Sequence, residues 1–397
     1  MGISKKDLLN EVMGVPRAIS MWVNLLTDIN IMNLEEAIKN GDWEQGEGSI
    51  GVSGEKIRLL RTQVVKPKTI KYIRDFFGAS SNEELLNNEE YKKLPLWNPV
   101  IITQVTVVPN EHFDIILSSG QYEAAFGIDG EKTKLTKIGK YEVLSEIMFQ
   151  LDIIIPASDV DNGNYKNVIK LSKPAIAHEL THAFQKFKMY EKGVDGDFGR
   201  EGVLNTIVSH EKGGNVGHRS QEWSDLTYLI YTHLSFEINA RVTQLYYELK
   251  EKGVKTKEDI IKNIKESNLW EIMVNLRDFD SNRFIEDHME IDPMFGLMFR
   301  LDQMSVGEKA PHIKNKEELL KYFIEKWDSE IKDFSEWSKE NDRPIPTMAS
   351  VPKSALKDPM VFLKFWENRF HKKAEEYRRK LLRVGQYLFN EINNKEK

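Results

Sequence analysis

The residues best suited to chemistry stand in the segment Ala177-His178-Glu179-Leu180-Thr181-His182-Ala183, which has the spacing H-E-x-x-H. On a helix, two imidazoles four residues apart project from one face and can bind a single ion. Glu179 would lie about 100° around the helix from His178, close enough to take a proton from water without binding the ion itself. The segment therefore predicts a metal site with Glu179 as its general base.

The neighbouring residues place this segment on an amphipathic helix. Its apolar residues recur at helical spacing, and the two histidines lie on the other side, where they would face a cleft. Ser172, Lys173 and Pro174 are typical of a helix N-cap and first turn, and the run Asn167–Leu171 before them is predicted to be a strand. The apolar stripe consists of Ile176, Leu180, Ala183, Phe184 and Phe187.

A third metal ligand must come from elsewhere, because Gln185 and Lys188 occupy the positions of the extended H-E-x-x-H-x-x-G-x-x-H motif. A helical pattern runs from Asp225 to Lys250, and Glu237 falls on its apolar stripe of Leu226, Ile230, Leu234 and Leu245. A buried carboxylate needs a partner. Metal coordination is one solution, and an ion pair with Arg241 one turn further on is the other.

With Glu237-Ile238-Asn239-Ala240-Arg241 downstream, the H-E-x-x-H segment resembles the gluzincin branch of the zincin metallopeptidases over about Val100 to Lys250. The resemblance implies Zn²⁺ held by His178, His182 and Glu237, with Glu179 as general base and later proton donor. It further implies a small Ala240 where two helices approach, and Arg241 beside the site. In that family the catalytic helix follows an edge strand, here expected at Asn167–Leu171, along which the substrate lies.

One position departs from the best-known gluzincin pattern, since Arg241 stands where an Asp is expected four residues after the third ligand. The group that orients a histidine is therefore open, with Asp225 and Asp152 as candidates.

A tetrahedral intermediate also needs a hydrogen-bond donor near the metal. Tyr231, His233, His210 and His218 are the candidates. His233 stands four residues before Glu237, so it could instead hydrogen-bond that glutamate or replace it as a ligand. For each of these four residues, ordinary packing or a place on the surface is the competing interpretation.

The composition narrows the classes of function. The net charge is −6, and acidic residues interrupt the basic stretch in the last helix. Both features argue against a nucleic acid partner. The chain has no cysteine, so any metal must use His, Asp or Glu. We expect no signal peptide, and no apolar run in the sequence is long enough to span a bilayer. The sequence also lacks the G-x-S-x-G motif of serine hydrolases and the motif of a phosphate-binding loop. We expect a cytoplasmic or virion-associated protein, and the oligomeric state stays open.

The sequence pattern divides the chain into a mainly helical region 1–98, a zincin-like core 99–250 and a helical region 251–397. Strands are predicted at 100–108, 113–117, 122–128 and 148–155, and a glycine-rich connection at 193–217 is expected to gate the cleft. Two short helices are predicted up to about Asn40, mixed helical sequence up to Trp97, and a long final helix to about Ile392.

These observations predict an α+β fold: a zincin-like core with a small mixed sheet and an active-site helix, flanked by helical N- and C-terminal regions. The expected protein is a zinc metallopeptidase that hydrolyses peptide bonds in protein or peptide substrates. Similar pairings of E-x-N-A-R with H-E-L-T-H also occur in phage and mobile-element proteins. The alternative is thus a structural or interaction protein on a zincin scaffold, with a non-catalytic metal.

Overall fold

A computed structural model of the chain describes residues 17–41, 43–50, 55–66, 69–113, 124–128, 133–191, 221–289 and 358–395, together with single positions between 317 and 354. The fold combines helices with a small mixed sheet and ends in a helical region, as predicted. By its contacts the chain divides into two units, one of residues 1–196 and 240–254, the other of residues 197–239 and 255–397. The predicted three-region division at 98 and 250 stays a prediction. None of the helices in the described ranges is long and apolar enough to cross a membrane.

The first unit contains all the strands of the described residues and the helix with the H-E-x-x-H segment. In chain order its elements are α1 (Arg17–Asn40), β1 (Glu44–Ile50), β2 (Glu55–Lys66), α2 (Ile70–Phe77), α3 (Asn82–Asn87), a 3-10 turn (Tyr91–Lys93), β3 (Val100–Val108), β4 (Ala124–Ile128), β5 (Lys134–Ile138), β6 (Tyr141–Ser145), β7 (Met148–Pro156), α4 (Ala157–Asn162), α5 (Tyr165–Leu171) and α6 (Lys173–Glu191).

The larger sheet has five strands in the order β1-β2-β3-β7-β4, and β5 and β6 form a separate hairpin. Strands β3 and β7 pair in parallel, with Ile101 beside Phe149 and Val105 beside Ile153, and the other pairs are antiparallel. Buried and half-buried residues alternate along β3 and β7, so one face of these strands is covered. Strand β4 lies at the edge of the described sheet, and α6 packs against it.

Helix α1 covers β2 and β3 and contacts α6 as well. It buries apolar side chains such as Trp22 and Leu26, and two asparagines among them meet a strand residue. Thr103 donates from Oγ1 to Asn30 Oδ1 at 2.7 Å and accepts from Asn33 Nδ2 at 2.9 Å. This buried network joins the helix to β3, because each of its polar groups would be costly to bury without a partner.

The predictions for β3, β7 and the final helix are confirmed, whereas the strand predicted at Asn167–Leu171 is wrong. These residues belong to helix α5, in which the adjacent Val168 and Ile169 are both buried. Successive residues of a strand point to opposite faces, so this burial is that of a helix. Ser172 precedes α6, but its hydroxyl donates to the Ile169 carbonyl at 2.6 Å instead of capping the next helix.

The region predicted as mixed helical before Trp97 also contains the hairpin β1/β2. Burial alternates along β2 from Arg61 to Lys66, but the apolar Leu60 and Val65 are exposed, so the residue types show little of the alternation that identifies a strand. Most of the strand predicted at 113–117, the glycine-rich connection 193–217 and the first predicted helix lie outside the described residues. The strand predicted at 122–128 is described from Ala124 onwards.

The second unit is helical in the described residues. Its elements are α7 (Gln221–Thr232), the start of α8 (Ser235–Glu251), α9 (Lys257–Lys265), α10 (Asn268–Asp278), α11 (Ser281–Met289) and the 37-residue α12 (Pro359–Lys395). Helices α7, α9, α10 and α11 all pack against α12. Phe362, Trp366 and Phe370 of α12 are fully buried, so this aromatic stripe belongs to the core, as its helical spacing predicts.

The helical stretch predicted from Asp225 to Lys250 is two helices, because α7 ends at Thr232 and α8 begins at Ser235. Two side chains at the end of α7 bind carbonyl oxygens of its last turn. The Thr232 hydroxyl donates to Leu229, and Nδ1 of His233 donates to Ile230. Such local bonds compete with continuation of the helix. Helix α8 then runs on into the first unit, to which residues 240–254 belong.

Candidate metal centre

Helix α6 presents the two histidines as the sequence predicts. Its apolar stripe faces the core: Ile176, Leu180 and Ala183 are fully buried, as Phe187 nearly is, and Phe184 is half-buried. His178, Glu179 and His182 are half-exposed on the same helix. The packing of the stripe thus sets the orientation of the helix, and with it the direction in which both imidazoles project.

The third predicted ligand, Glu237, lies on the first turn of α8 and is fully buried. Candidate ligand atoms of His178, His182 and Glu237 all lie within 4.8 Å of one another. Two imidazole nitrogens and one carboxylate oxygen form a donor set that divalent transition metals prefer. The three residues could therefore hold a metal ion, and the structure brings Glu237 to the histidines although Arg241 lies one turn away on its own helix.

The two imidazoles approach each other through the same ring atom. Nε2 of His178 and Nε2 of His182 are 3.1 Å apart, and the planes of the rings are 77° from parallel. Each Nδ1 has a glutamine carbonyl oxygen as partner: Gln244 at 3.1 Å from His178 and Gln185 at 3.2 Å from His182. A carbonyl oxygen only accepts, so a ring nitrogen that bonds to it must donate, and a neutral ring whose Nδ1 donates carries its lone pair on Nε2.

Sequence reasoning did not identify the two glutamines. Gln185 follows His182 by three residues, and Gln244 follows Glu237 by seven, which is two helical turns and therefore the same face. Spacing places each glutamine on the helical face of a ligand, but it does not give the contact with a histidine. Gln244 also donates from Nε2 to Glu248 Oε1 at 2.9 Å. The histidines are thus oriented by amides, where the predicted candidates were carboxylates.

Of those carboxylate candidates, Asp152 on β7 accepts a hydrogen bond from Gln150 Nε2 at 2.8 Å. It is on the face of β7 opposite to that of the fully buried Leu151, and its described hydrogen bond joins it to Gln150 rather than to a histidine. The side chain of Asp225 lies outside the part of the chain that is described.

His233, a candidate for the oxyanion or for ligation, is buried in the second unit. Its ring packs edge-on against Trp366 and Phe370, with centroids at 5.4 and 5.8 Å. Burial lowers the pKa of His233 to about 3, assisted by the nearby Arg369 and Lys373 and opposed by its bond to the Ile230 carbonyl. This environment is that of a neutral core histidine.

The other three residues predicted as hydrogen-bond donors to the oxyanion are Tyr231, His210 and His218. Tyr231 is half-buried in the last turn of α7. His210 and His218 lie outside the described residues. Assignment of a donor for the oxyanion therefore stays a prediction.

No protein-family model matches the chain, and neither a curated protein nor a solved structure matches it. The gluzincin resemblance accordingly stays a prediction, carried by the residues of this site.

Proposed function

We propose that this chain is a zinc-dependent hydrolase that cleaves peptide bonds in proteins or peptides. The observation that carries the proposal is the convergence of His178, His182 and Glu237 around one point, with Glu179 in the turn between the two histidines. A site that served only to hold the fold together would have no use for a half-exposed glutamate in that position.

The donor atoms fit zinc. With Zn–N bonds of about 2.0–2.1 Å, two nitrogens of a tetrahedral site lie roughly 3.3 Å apart. The two Nε2 atoms are 3.1 Å apart, close to that separation. A zinc ion held by these three residues would act as a Lewis acid, lowering the pKa of water and polarising a carbonyl oxygen.

Glu179 supplies the proton chemistry of the proposed reaction. Its carboxylate takes a proton from water as the water oxygen attacks the carbonyl carbon of the peptide bond. The same carboxyl group then gives the proton to the leaving nitrogen as the C–N bond breaks. Half-exposure on α6 suits this role, because the group must meet both water and substrate.

The edge strand β4 offers a place for the substrate. It pairs with β7 on one side, ends the described sheet on the other, and packs beside α6. An extended peptide can add to such an edge through main-chain hydrogen bonds. We therefore infer that the substrate lies along β4 rather than along residues 167–171.

The test compares the wild type with Glu179→Gln and with Glu191→Gln, a matched change on the exposed end of the same helix. Bound zinc is measured by mass spectrometry, and cleavage is assayed on casein and on a peptide library. We expect all three proteins to bind one zinc. Only Glu179→Gln should lose cleavage, by roughly 10²- to 10⁴-fold.

Three results would contradict the proposal. If wild-type protein fails to bind zinc, the metal site is wrong. If it binds zinc and cleaves nothing, the alternative of a structural or interaction protein with a non-catalytic metal is favoured. If Glu179→Gln cleaves as fast as wild type, the general base has been assigned to the wrong residue.

A further inference from the structure

Gln244 on α8 joins His178 to a carboxylate. Its Oε1 lies 3.1 Å from Nδ1 of His178, and its Nε2 lies 2.9 Å from Oε1 of Glu248, one turn further along the same helix. Both ends of the amide are therefore engaged, and all three side chains belong to the first unit.

The chemistry of Glu248 sets the direction of this chain of hydrogen bonds. An ionised carboxylate only accepts, so the NH₂ group of Gln244 must face Glu248. The carbonyl oxygen of the amide must then face His178, whose Nδ1 must donate. If the amide were turned around, two oxygens would oppose each other at Glu248, and NH₂ would meet the imidazole.

We propose that Glu248 and Gln244 form a positioning relay that keeps the neutral ring of His178 in its Nδ1–H form, with the Nε2 lone pair aimed at the metal. In this relay Glu248 orients the amide and the amide selects the tautomer. The proposal rests on the metal-binding part of the proposed function and leaves the reaction aside.

An amide in this position differs in charge from a carboxylate. A carboxylate partner makes a ligating histidine more basic and adds a negative charge beside the metal. Gln244 gives the ring the same orientation without that charge. The negative group, Glu248, bonds to Gln244 and therefore lies further from His178 than a direct carboxylate partner would. The relay therefore predicts a metal site that is well oriented but binds zinc less tightly than one with a glutamate at position 244.

The first readout is the tautomer in metal-free protein. Histidines are labelled with ¹⁵N, and the ring nitrogens are assigned by comparison with His178→Gln, at a pH about two units above the usual imidazole pKa. We expect the Nδ1–H form of His178 in wild type and a mixture of both forms in Gln244→Leu. An Nε2–H form in wild type would overturn the relay, whether or not the chain is an enzyme.

The second readout is the dissociation constant for zinc, measured against a competing chelator. Gln244→Leu should weaken binding about 10- to 100-fold, and Gln244→Glu should bind more tightly than wild type. Glu248→Gln should weaken binding by less than Gln244→Leu, because a glutamine there can face either way. The matched variant Glu251→Gln, which alters an ion pair with Lys173 at the end of the same helix, should change nothing.

A merely structural role for Gln244 makes a different forecast. Gln244→Leu would then lower the melting temperature while the tautomer of His178 stayed as in wild type, and Gln244→Glu would bind zinc no more tightly than wild type. Equal zinc affinities and equal tautomers in wild type and Gln244→Leu would also refute the relay. If the relay holds but no protein is cleaved, the hydrolase proposal fails alone.

Discussion

The buried imidazole of His233 should make the stability of the second unit depend on pH. Burial lowers its pKa to about 3, against an ordinary value of 6.5, and the ring is enclosed by Trp366 and Phe370. Unfolding exposes the ring and restores its ordinary pKa. Below pH 6.5 the unfolded chain therefore binds a proton that the folded chain does not, and the folded state loses stability as the pH falls towards 3.

The size of the effect follows from these two pKa values. Between pH 7 and pH 5 the unfolded imidazole becomes almost fully protonated and the folded one stays neutral, which lowers the free energy of unfolding by about 2 kcal/mol. His233→Phe keeps an aromatic ring beside Trp366 and removes the titrating group. We therefore expect that variant to lack this part of the pH dependence.

The assay is urea denaturation of wild type and His233→Phe at both pH values, followed by the transition that exposes the C-terminal unit. His371→Phe, which removes a largely exposed imidazole from α12, is the control for loss of a histidine as such. Only the difference between pH 7 and pH 5 is compared, so a constant packing cost in the variant cancels. If His233→Phe loses as much stability as wild type between these pH values, then His233 is not the buried neutral group inferred here.

Two further changes probe the packing inside each unit. Thr103→Val should lower the free energy of unfolding by about 2–4 kcal/mol, because Asn30 and Asn33 would both lose a buried partner; chemical denaturation measures this, and a loss under 1 kcal/mol would contradict it. Gly385→Ala should raise stability by about 0.5–1 kcal/mol, since Gly385 is interior to α12 and the added Cβ would meet Ile264 Cδ1 at an ordinary 3.4 Å; a lower melting temperature would show that the contact is too tight.

Much of the candidate site follows from local sequence. The H-E-x-x-H spacing predicts that His178 and His182 share a face, because four residues make about one helical turn. The apolar stripe of α6 predicts which side is buried, since periodicity is a property of the segment alone. Glu237 could be identified as a ligand candidate because a carboxylate on an apolar stripe requires a partner.

Other features depend on contacts that no segment encodes by itself. Whether residues 167–171 form a strand or a helix could not be decided from a short β-branched run, because both structures can bury it. The break between Thr232 and Ser235 likewise changes the direction of Glu237, because a single projection from Asp225 to Lys250 holds only for one continuous helix. Each outcome depends on what the neighbouring elements cover.

The sequence by itself determined which residues could bind a metal, because ligand type and helical spacing are local. Only the tertiary structure decided how the imidazoles are held. Gln244 and His178 are 66 positions apart in the chain, and they are in contact because the tertiary fold places this part of α8 beside α6. Hydrogen-bond partners are set by distances of a few ångströms between elements, and periodicity along one element carries no information about those distances.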